Sequence, residues 1–374
     1  MVEAQGHTLA FQPGGADRLA ALLALIEGAQ VSLKMCFYIF TPDASGIDVR
    51  RCLTAAARRG VQVSLIVDGF GAQADKAFFA ELVEAGGGFC SFSPAVSQRY
   101  LIRNHQKLVV VDGRVAMLGG FNIEDSYFAP PDENGWEDLG FTVQGPVVAR
   151  IGHWFDLLEG WTRSKHAKFA EIRRLVREWE CGDGPVKLLI GGPTRGFSTW
   201  AEHISRDLDE GTSLDLAMGY FSPPRRLLKP IEAIAAKGRT RIVMAAKSDN
   251  GATIGASRAL YAGLLAAGAR IWEFSPCKLH TKLTVLDDTV YAGSANMDMR
   301  SLYINLEIVL QITDRALADR IRAYFDRRLP PSEEITPALH RQRATLWNRL
   351  RWRASWFLVA VMDYTVSRGL NLGL

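Results

Sequence analysis

One pattern occurs twice in this chain and restricts its fold more than any other feature. The first copy reads His105-Gln106-Lys107, an apolar run and Asp112, then Gly119-Gly120-Phe121-Asn122. The second, 175 positions later, reads His280-Thr281-Lys282, an apolar run and Asp287, then Gly293-Ser294-Ala295-Asn296. The apolar run predicts a buried strand. Side chains alternate along a strand, so His105 and Lys107 share a face, as do His280 and Lys282. Asp112-Gly113 and Asp287-Asp288 are turn formers, so each strand should fold back and return its asparagine toward its own histidine. Six residues separate Asp112 from Gly119 and five separate Asp287 from Gly293. One residue more or less reverses facing in a regular ladder, so the two turns are expected to differ.

The repetition continues outside the motifs. Residues 32–63 and 213–243 both read as an apolar strand ending in an aromatic and a proline, an alanine-rich helix, and a basic-glycine turn into a second strand. A further helix is expected at about 75–85 and at about 256–267. Alternating strand and helix signals predict an α/β chain of two similar lobes, each a mixed, largely parallel sheet flanked by helices. The lobes would be related by a pseudo-twofold axis, with the site at their seam. Lobe one is expected over 1–160 and a linker helix over 161–184, its charged helix running Lys165–Glu180 and ended by breakers before Pro185. Lobe two would span 185–330 and a tail 331–374, after Pro330-Pro331. At 374 residues each lobe can bury its own core.

The five cysteines (Cys36, Cys52, Cys90, Cys181 and Cys277) lack paired spacing. They read as reduced structural thiols rather than a disulfide framework or zinc site. No signal peptide is visible, and no run reaches the roughly 18 apolar residues a spanning helix needs. A cytoplasmic protein is expected. The net charge of +4 hints at an anionic partner without the basic stripes of a nucleic-acid binder, and no nucleic acid is expected.

Two histidines suit a two-step displacement at phosphorus. One neutral imidazole attacks and becomes a phosphohistidine, while the other, protonated, supplies the proton that the departing alkoxide needs. Histidine titrates near neutrality, so both states are accessible. Lys107, Lys282, Asn122 and Asn296 are positioned to hold charge growing on the equatorial oxygens, without a metal or other cofactor. Small residues at Gly119, Gly120, Gly293 and Ser294 would let a ligand oxygen approach the backbone, and the Ser294 hydroxyl is a candidate phosphate donor that Gly120 lacks.

These residues resemble the phospholipase D superfamily, whose signature is HxKxxxxD followed by GSxN, twice in a two-lobed enzyme. Within it, the resemblance is strongest to bacterial cardiolipin synthases. It covers roughly residues 20–330, with Trp136-Glu137-Asp138, Gly145-Pro146, Asn305-Leu306-Glu307 and the run from Gly293 to Ser301 as supporting segments. The resemblance implies a covalent phosphohistidine, no metal, and an acid after each motif that fixes its histidine's tautomer. Asp138 and Glu307 stand where those acids are expected. Asp112 and Asp287 complete the motifs and so join the catalytic set, with a mainly structural role at the turns. By analogy His105 is the nucleophile and His280 the general acid. The implied reaction transfers a phosphatidyl group between two phosphatidylglycerol molecules. Hydrolysis of a phospholipid, or less readily of nucleic acid, is the alternative through the same intermediate. A non-catalytic lipid-binding protein would have lost a histidine or lysine, and all four are present.

The tail carries Arg341, Arg343, Arg349, Arg351 and Arg353. Trp347, Leu350, Ala354, Phe357, Val361 and Tyr364 recur at three- and four-residue steps. This is an amphipathic helix suited to an anionic membrane surface, attaching the protein peripherally to the inner membrane, or to docking on the lobes.

Overall fold

The computed structural model describes residues 1–93, 102–164, 167–194, 196–363 and 365. Two eight-stranded mixed sheets, flanked by helices, make up two lobes of one α/β fold. The first sheet runs in the order Val2–Ala4, His7–Gln12, Gly140–Gln144, Val115–Gly119, Leu108–Val111, Ser32–Phe37, Gln62–Asp68, Gly88–Phe92. The second runs Val186–Gly191, Glu307–Thr313, Thr289–Gly293, Lys282–Leu286, Leu214–Met218, Thr240–Ala245, Arg270–Phe274, Ser332–Glu334. The two share a seven-strand order. The first adds its extra strand at one edge and the second at the opposite edge.

The sheets are less parallel than expected. Parallel pairing is confined to Ser32–Phe37, Gln62–Asp68 and Gly88–Phe92, and to their equivalents in lobe two. Adjacent strands of these parallel sets are joined by helical crossovers, such as Ala44–Arg58 and Arg225–Lys237. The motif hairpins and their return strands are antiparallel.

The unequal motif spacing is absorbed at the turns. Val111 pairs with Val115, leaving a three-residue loop, whereas Leu286 pairs with Thr289 across two residues. Leu108 then faces Leu118 just as Leu283 faces Ala292, so both return strands keep the same facing. Asp112 and Asp287 adopt left-handed φ of 52° and 49° at these turns. Their carboxylates offset that cost by holding the start of the neighbouring strand. Asp112 accepts from the Val31 and Ser32 amides at 2.7 and 2.8 Å, and Asp287 from the Ser213 amide at 2.9 Å and the Thr212 hydroxyl at 2.7 Å.

One apolar core runs across both sheets. It joins Leu108, Val110 and Phe141 to Leu283, Ile308 and Leu310 through the helices Val147–Arg163 and Arg315–Arg328. Burial of this shared face fuses the lobes. The linker helix Phe169–Arg177 inserts Phe169, Ile172 and Val176 into the same core, while its expected start at Lys165 lies outside the described residues. The helix expected near 75–85 shortens to Ala80–Glu84, and its counterpart divides into Gly251–Arg258 and Tyr261–Ala266.

The tail forms Pro337–Arg343 and Leu346–Trp356, the latter continuing as a π-helical stretch, Phe357–Met362. Trp352, Ser355 and Ala360 are buried, with Ser355 seated against Gly255, where an added Cβ would meet its Oγ at 2.5 Å. The expected apolar stripe points elsewhere. Trp347, Leu350, Ala354 and Phe357 are exposed and Val361 is half-buried. Tyr364 lies outside the described residues. One face of the helix therefore docks on lobe two and another, apolar face meets solvent. Among the described residues no helix is long and apolar enough to cross a membrane.

Candidate active site

The seam is zipped by two short parallel pairings between lobes. Trp136–Glu137 pairs with Lys278–Leu279, and Asn104 bridges to Leu306. The His105 amide donates to Leu306 at 2.9 Å and the His280 amide to Glu137 at 2.8 Å. Each histidine is thus anchored by backbone of the opposite lobe, one residue before that lobe's acid.

The acids follow the same crossing. His105 Nδ1 lies 3.0 Å from Glu307 Oε1, and His280 Nδ1 lies 2.7 Å from Asp138 Oδ2. The resemblance implied that each acid serves the histidine of its own motif. The fold exchanges them, because the pairing is set at the seam rather than along the chain. With Nδ1–H donated to a carboxylate, Nε2 of each ring is left for chemistry.

The lysines are buried beneath the histidines. Lys107 Nζ donates to the His105 carbonyl at 2.6 Å, and Lys282 Nζ lies 2.9 Å from His280 Nδ1. Burial pushes Lys107 down to about 7 and Lys282 down to about 8, against the opposing charges of Glu307 and Asp138. Burial, then Lys107, Lys282 and Arg300, push His105 well below its ordinary value. Burial and then Lys282 push His280 down to about 4, with Asp138 opposing. Both imidazoles are therefore neutral at neutral pH before an anion enters. The two acids differ. Burial alone would raise Asp138, but His280 and Lys282 hold it below the usual carboxylate range. Burial raises Glu307 to about 7, with Lys107, Ser294 and Ser301 opposing.

The glycines and Ser294 serve a purpose other than the expected one. An added Cβ on Gly119 would meet the Leu139 carbonyl at 2.5 Å, and one on Gly293 the Ile308 carbonyl at 2.1 Å, so both allow close strand approach. The open face of Gly120 is filled by Asp138, whose Oδ1 would lie 2.5 Å from a Cβ there. The Ser294 hydroxyl bonds Glu307 at 2.5 Å, and the Ser301 hydroxyl bonds it at 2.8 Å. In this arrangement Gly120 and Ser294 are fitted to the acids rather than to a phosphate. Asp112 and Asp287, at the far ends of the motif strands, hold the turns and do not join the histidines.

Both histidines, Asn122 and Asn296 line one cavity of about 570 Å³. Asn122 Oδ1 accepts from the Ile39 amide at 3.1 Å, which holds its side chain in place. Among the described residues no three His, Cys, Asp or Glu side chains come together as a metal site.

A family model described as cardiolipin synthase, PLD-like domain matches residues 22–158 and 204–329, the two lobes just described. This chain belongs to that family. It is an enzyme of the phospholipase D superfamily, cardiolipin-synthase-like. A cardiolipin synthase of Listeria monocytogenes is 28% identical over 360 residues, covering 93% of this chain and 74% of that one. The major cardiolipin synthase ClsA of Bacillus subtilis is 29% identical over 361 residues, with the same coverage. In fold the chain is similar to the phosphatidylserine synthase of Haemophilus influenzae, with a TM-score of 0.73 at 14% identity over 95% of each chain.

Several residues that shape this cardiolipin-synthase-like site were not singled out from sequence. Arg18 is fully buried and donates to the Asp138 carbonyl at 2.6 Å and the Tyr127 carbonyl at 2.7 Å, which fixes the loop that carries Asp138. Tyr38 packs on His105 and Tyr220 on His280, with ring centroids 5.0 and 6.1 Å apart. Tyr220 donates to Asp249 at 2.7 Å. Arg18 lies about 120 positions from Asp138, so no local spacing could reveal the pair.

Proposed function

We propose that this enzyme transfers the phosphatidyl group of one phosphatidylglycerol to a hydroxyl of another, giving cardiolipin and glycerol. The observation that carries this reading is the pair of imidazoles facing one cavity, each held by an acid of the other lobe above a buried lysine. His105 Nε2 attacks phosphorus. The P–N bond forms, the P–O bond to glycerol breaks, and His280, which has taken up a proton on Nε2 as the anionic phosphate entered, gives that proton to the leaving oxygen. The acceptor hydroxyl then returns a proton to His280 as its oxygen attacks phosphorus and the P–N bond breaks. Lys107, Lys282, Asn122 and Asn296 hold the equatorial oxygens.

The contrast between the acids supports these roles. Asp138 is firmly ionised and suits a ring that must carry a proton, while His105, the more cation-crowded ring, stays neutral and nucleophilic. An entering phosphate cancels part of the lysine field and raises His280 toward protonation. Purified protein incubated with phosphatidylglycerol vesicles in chelator should yield cardiolipin and free glycerol by mass analysis. Phosphatidic acid as the sole product would make the enzyme a hydrolase instead.

The same reading takes the exposed tail stripe to a membrane surface at the cytoplasmic side. Leu358 and Val359 line the cavity and adjoin Phe357 on the stripe, so a headgroup can enter beside the buried acyl boundary. Arg349, Arg351 and Arg353 suit anionic lipid. Trp347→Glu with Leu350→Glu should lower co-flotation with phosphatidylglycerol vesicles at least about tenfold, since about 3 kcal/mol of apolar insertion is lost. Unchanged flotation would remove the tail from membrane binding.

A further inference from the structure

Three symmetric pairs, His105 with His280, Lys107 with Lys282 and Asn122 with Asn296, account for one phosphate at the seam. Two cations lining the same cavity break that symmetry, Arg103 and Arg300. Arg103 stands two residues before His105. Its counterpart two before His280 is Lys278, whose Nζ lies 5.0 Å over the Trp136 ring and outside the cavity lining. Arg300 stands seven residues after Gly293, where the first copy has Ser126, seven after Gly119.

Arg103 is built into the wall. It is 7% exposed, its guanidinium lies 3.6 Å over the Phe70 ring, and its carbonyl accepts from the Leu306 amide at 2.9 Å. Its Nη1 is buried without a hydrogen-bond partner among the described residues. A guanidinium N–H left unpaired in a wall is costly unless a ligand satisfies it. Arg300 already holds an oxyanion there. Its Nη1 donates to Asp363 Oδ1 and Oδ2 at 2.9 and 3.0 Å, at the end of the tail helix. The arginine fork also suits phosphate geometry.

We propose that Arg103 and Arg300 form a second anion subsite that takes the phosphate of the acceptor phospholipid. This rests on the transfer reading above and adds to it what makes the acceptor a phospholipid rather than water or free glycerol. In the product one glycerol bridges two phosphates, so a transferase of this kind must hold a second phosphate a three-carbon span from the reacting one. A cavity of about 570 Å³ has room for both. The acceptor phosphate takes the place of the Asp363 carboxylate on Arg300 and satisfies Arg103 Nη1.

The test compares two acceptors at one donor site. Phosphatidylglycerol vesicles are supplied with isotopically labelled glycerol, and both cardiolipin and labelled phosphatidylglycerol are measured. Exchange of glycerol uses the same phosphohistidine but an acceptor without a phosphate. In Arg103→Gln the ratio of cardiolipin to exchanged glycerol should fall at least tenfold, and the apparent KM for cardiolipin formation should rise. Arg300→Gln should lower the same ratio, and it carries the test if Arg103→Gln does not fold. Two products that fall in step, leaving the ratio unchanged in both variants, would assign the arginines to the donor and overturn the subsite. A wild-type protein that exchanges glycerol yet forms no cardiolipin would overturn the transfer reading and the subsite together.

Discussion

His105→Gln should form no covalent lipid adduct and lose phosphatidyl transfer by at least about 10⁴-fold, because His280, beside the ionised Asp138, takes up a proton as the phosphate enters and cannot replace it as nucleophile. His280→Gln should also lose transfer, but at a different step. It removes the proton that the glycerol oxygen needs on leaving, so a phosphatidyl ester of a nitrophenol, which leaves without a proton, bypasses the loss. On that substrate His280→Gln should release nitrophenol in a burst and accumulate the phosphohistidine, since the second step then lacks its base. Acid-quenched intact-protein mass analysis reads the adduct. The electrostatics favour this order. Arg300 adds to the cations that push His105 down, whereas His280 has a firmly ionised carboxylate 2.7 Å away. An adduct that forms in His105→Gln and not in His280→Gln would reverse the two assignments.

The parts of this fold legible in the sequence are those in which one residue's role depends on near neighbours. The motif strands show themselves because Leu108 to Val111 and Leu283 to Leu286 are apolar between polar ends, and the two turns because Asp112 and Asp287 tolerate left-handed φ. The difference in motif spacing even predicts unequal turns, which the three- and two-residue loops bear out. Properties set by distant pairing were not legible. Strand direction was misjudged because five of the seven strand pairings in each sheet, those made by the hairpin, return and edge strands, are antiparallel. The glycines were assigned to a ligand because sequence does not reveal that a carbonyl of the next strand, or the Asp138 carboxylate, fills the space beside them. The tail's apolar periodicity was correct, yet it described the face turned away from the protein. Docking is carried by Trp352, Ser355 and Ala360 against a tight glycine contact at Gly255.

The exchange of acids across the seam leads to the most distinctive expectation. Gly120 with Asp138 and Ser294 with Glu307 are equivalent solutions, since Gly119 pairs with Gly140 as Gly293 pairs with Val309, which puts Asp138 and Glu307 at the same position. The shorter acid needs the space glycine leaves, and the longer one is steadied by Ser294 and Ser301. Each acid orients the other lobe's histidine, so the kinetic consequences should cross as well. Asp138→Asn should impair the step that uses His280, lowering phosphatidylglycerol turnover by about 10³-fold through a wrong tautomer and an unsupported imidazolium. Most of that loss should vanish with the nitrophenyl ester, whose departure needs no proton. Glu307→Gln should impair attack by His105 and be equally slow on both substrates, with little adduct. If each acid instead served its own motif, the pattern would invert, with Glu307→Gln rescued by the nitrophenyl ester and Asp138→Asn not. Single-turnover rates of the two variants on the two substrates decide between these outcomes. Both variants are isosteric and keep the buried site filled, so a loss common to all four rates would mark disruption of the seam itself.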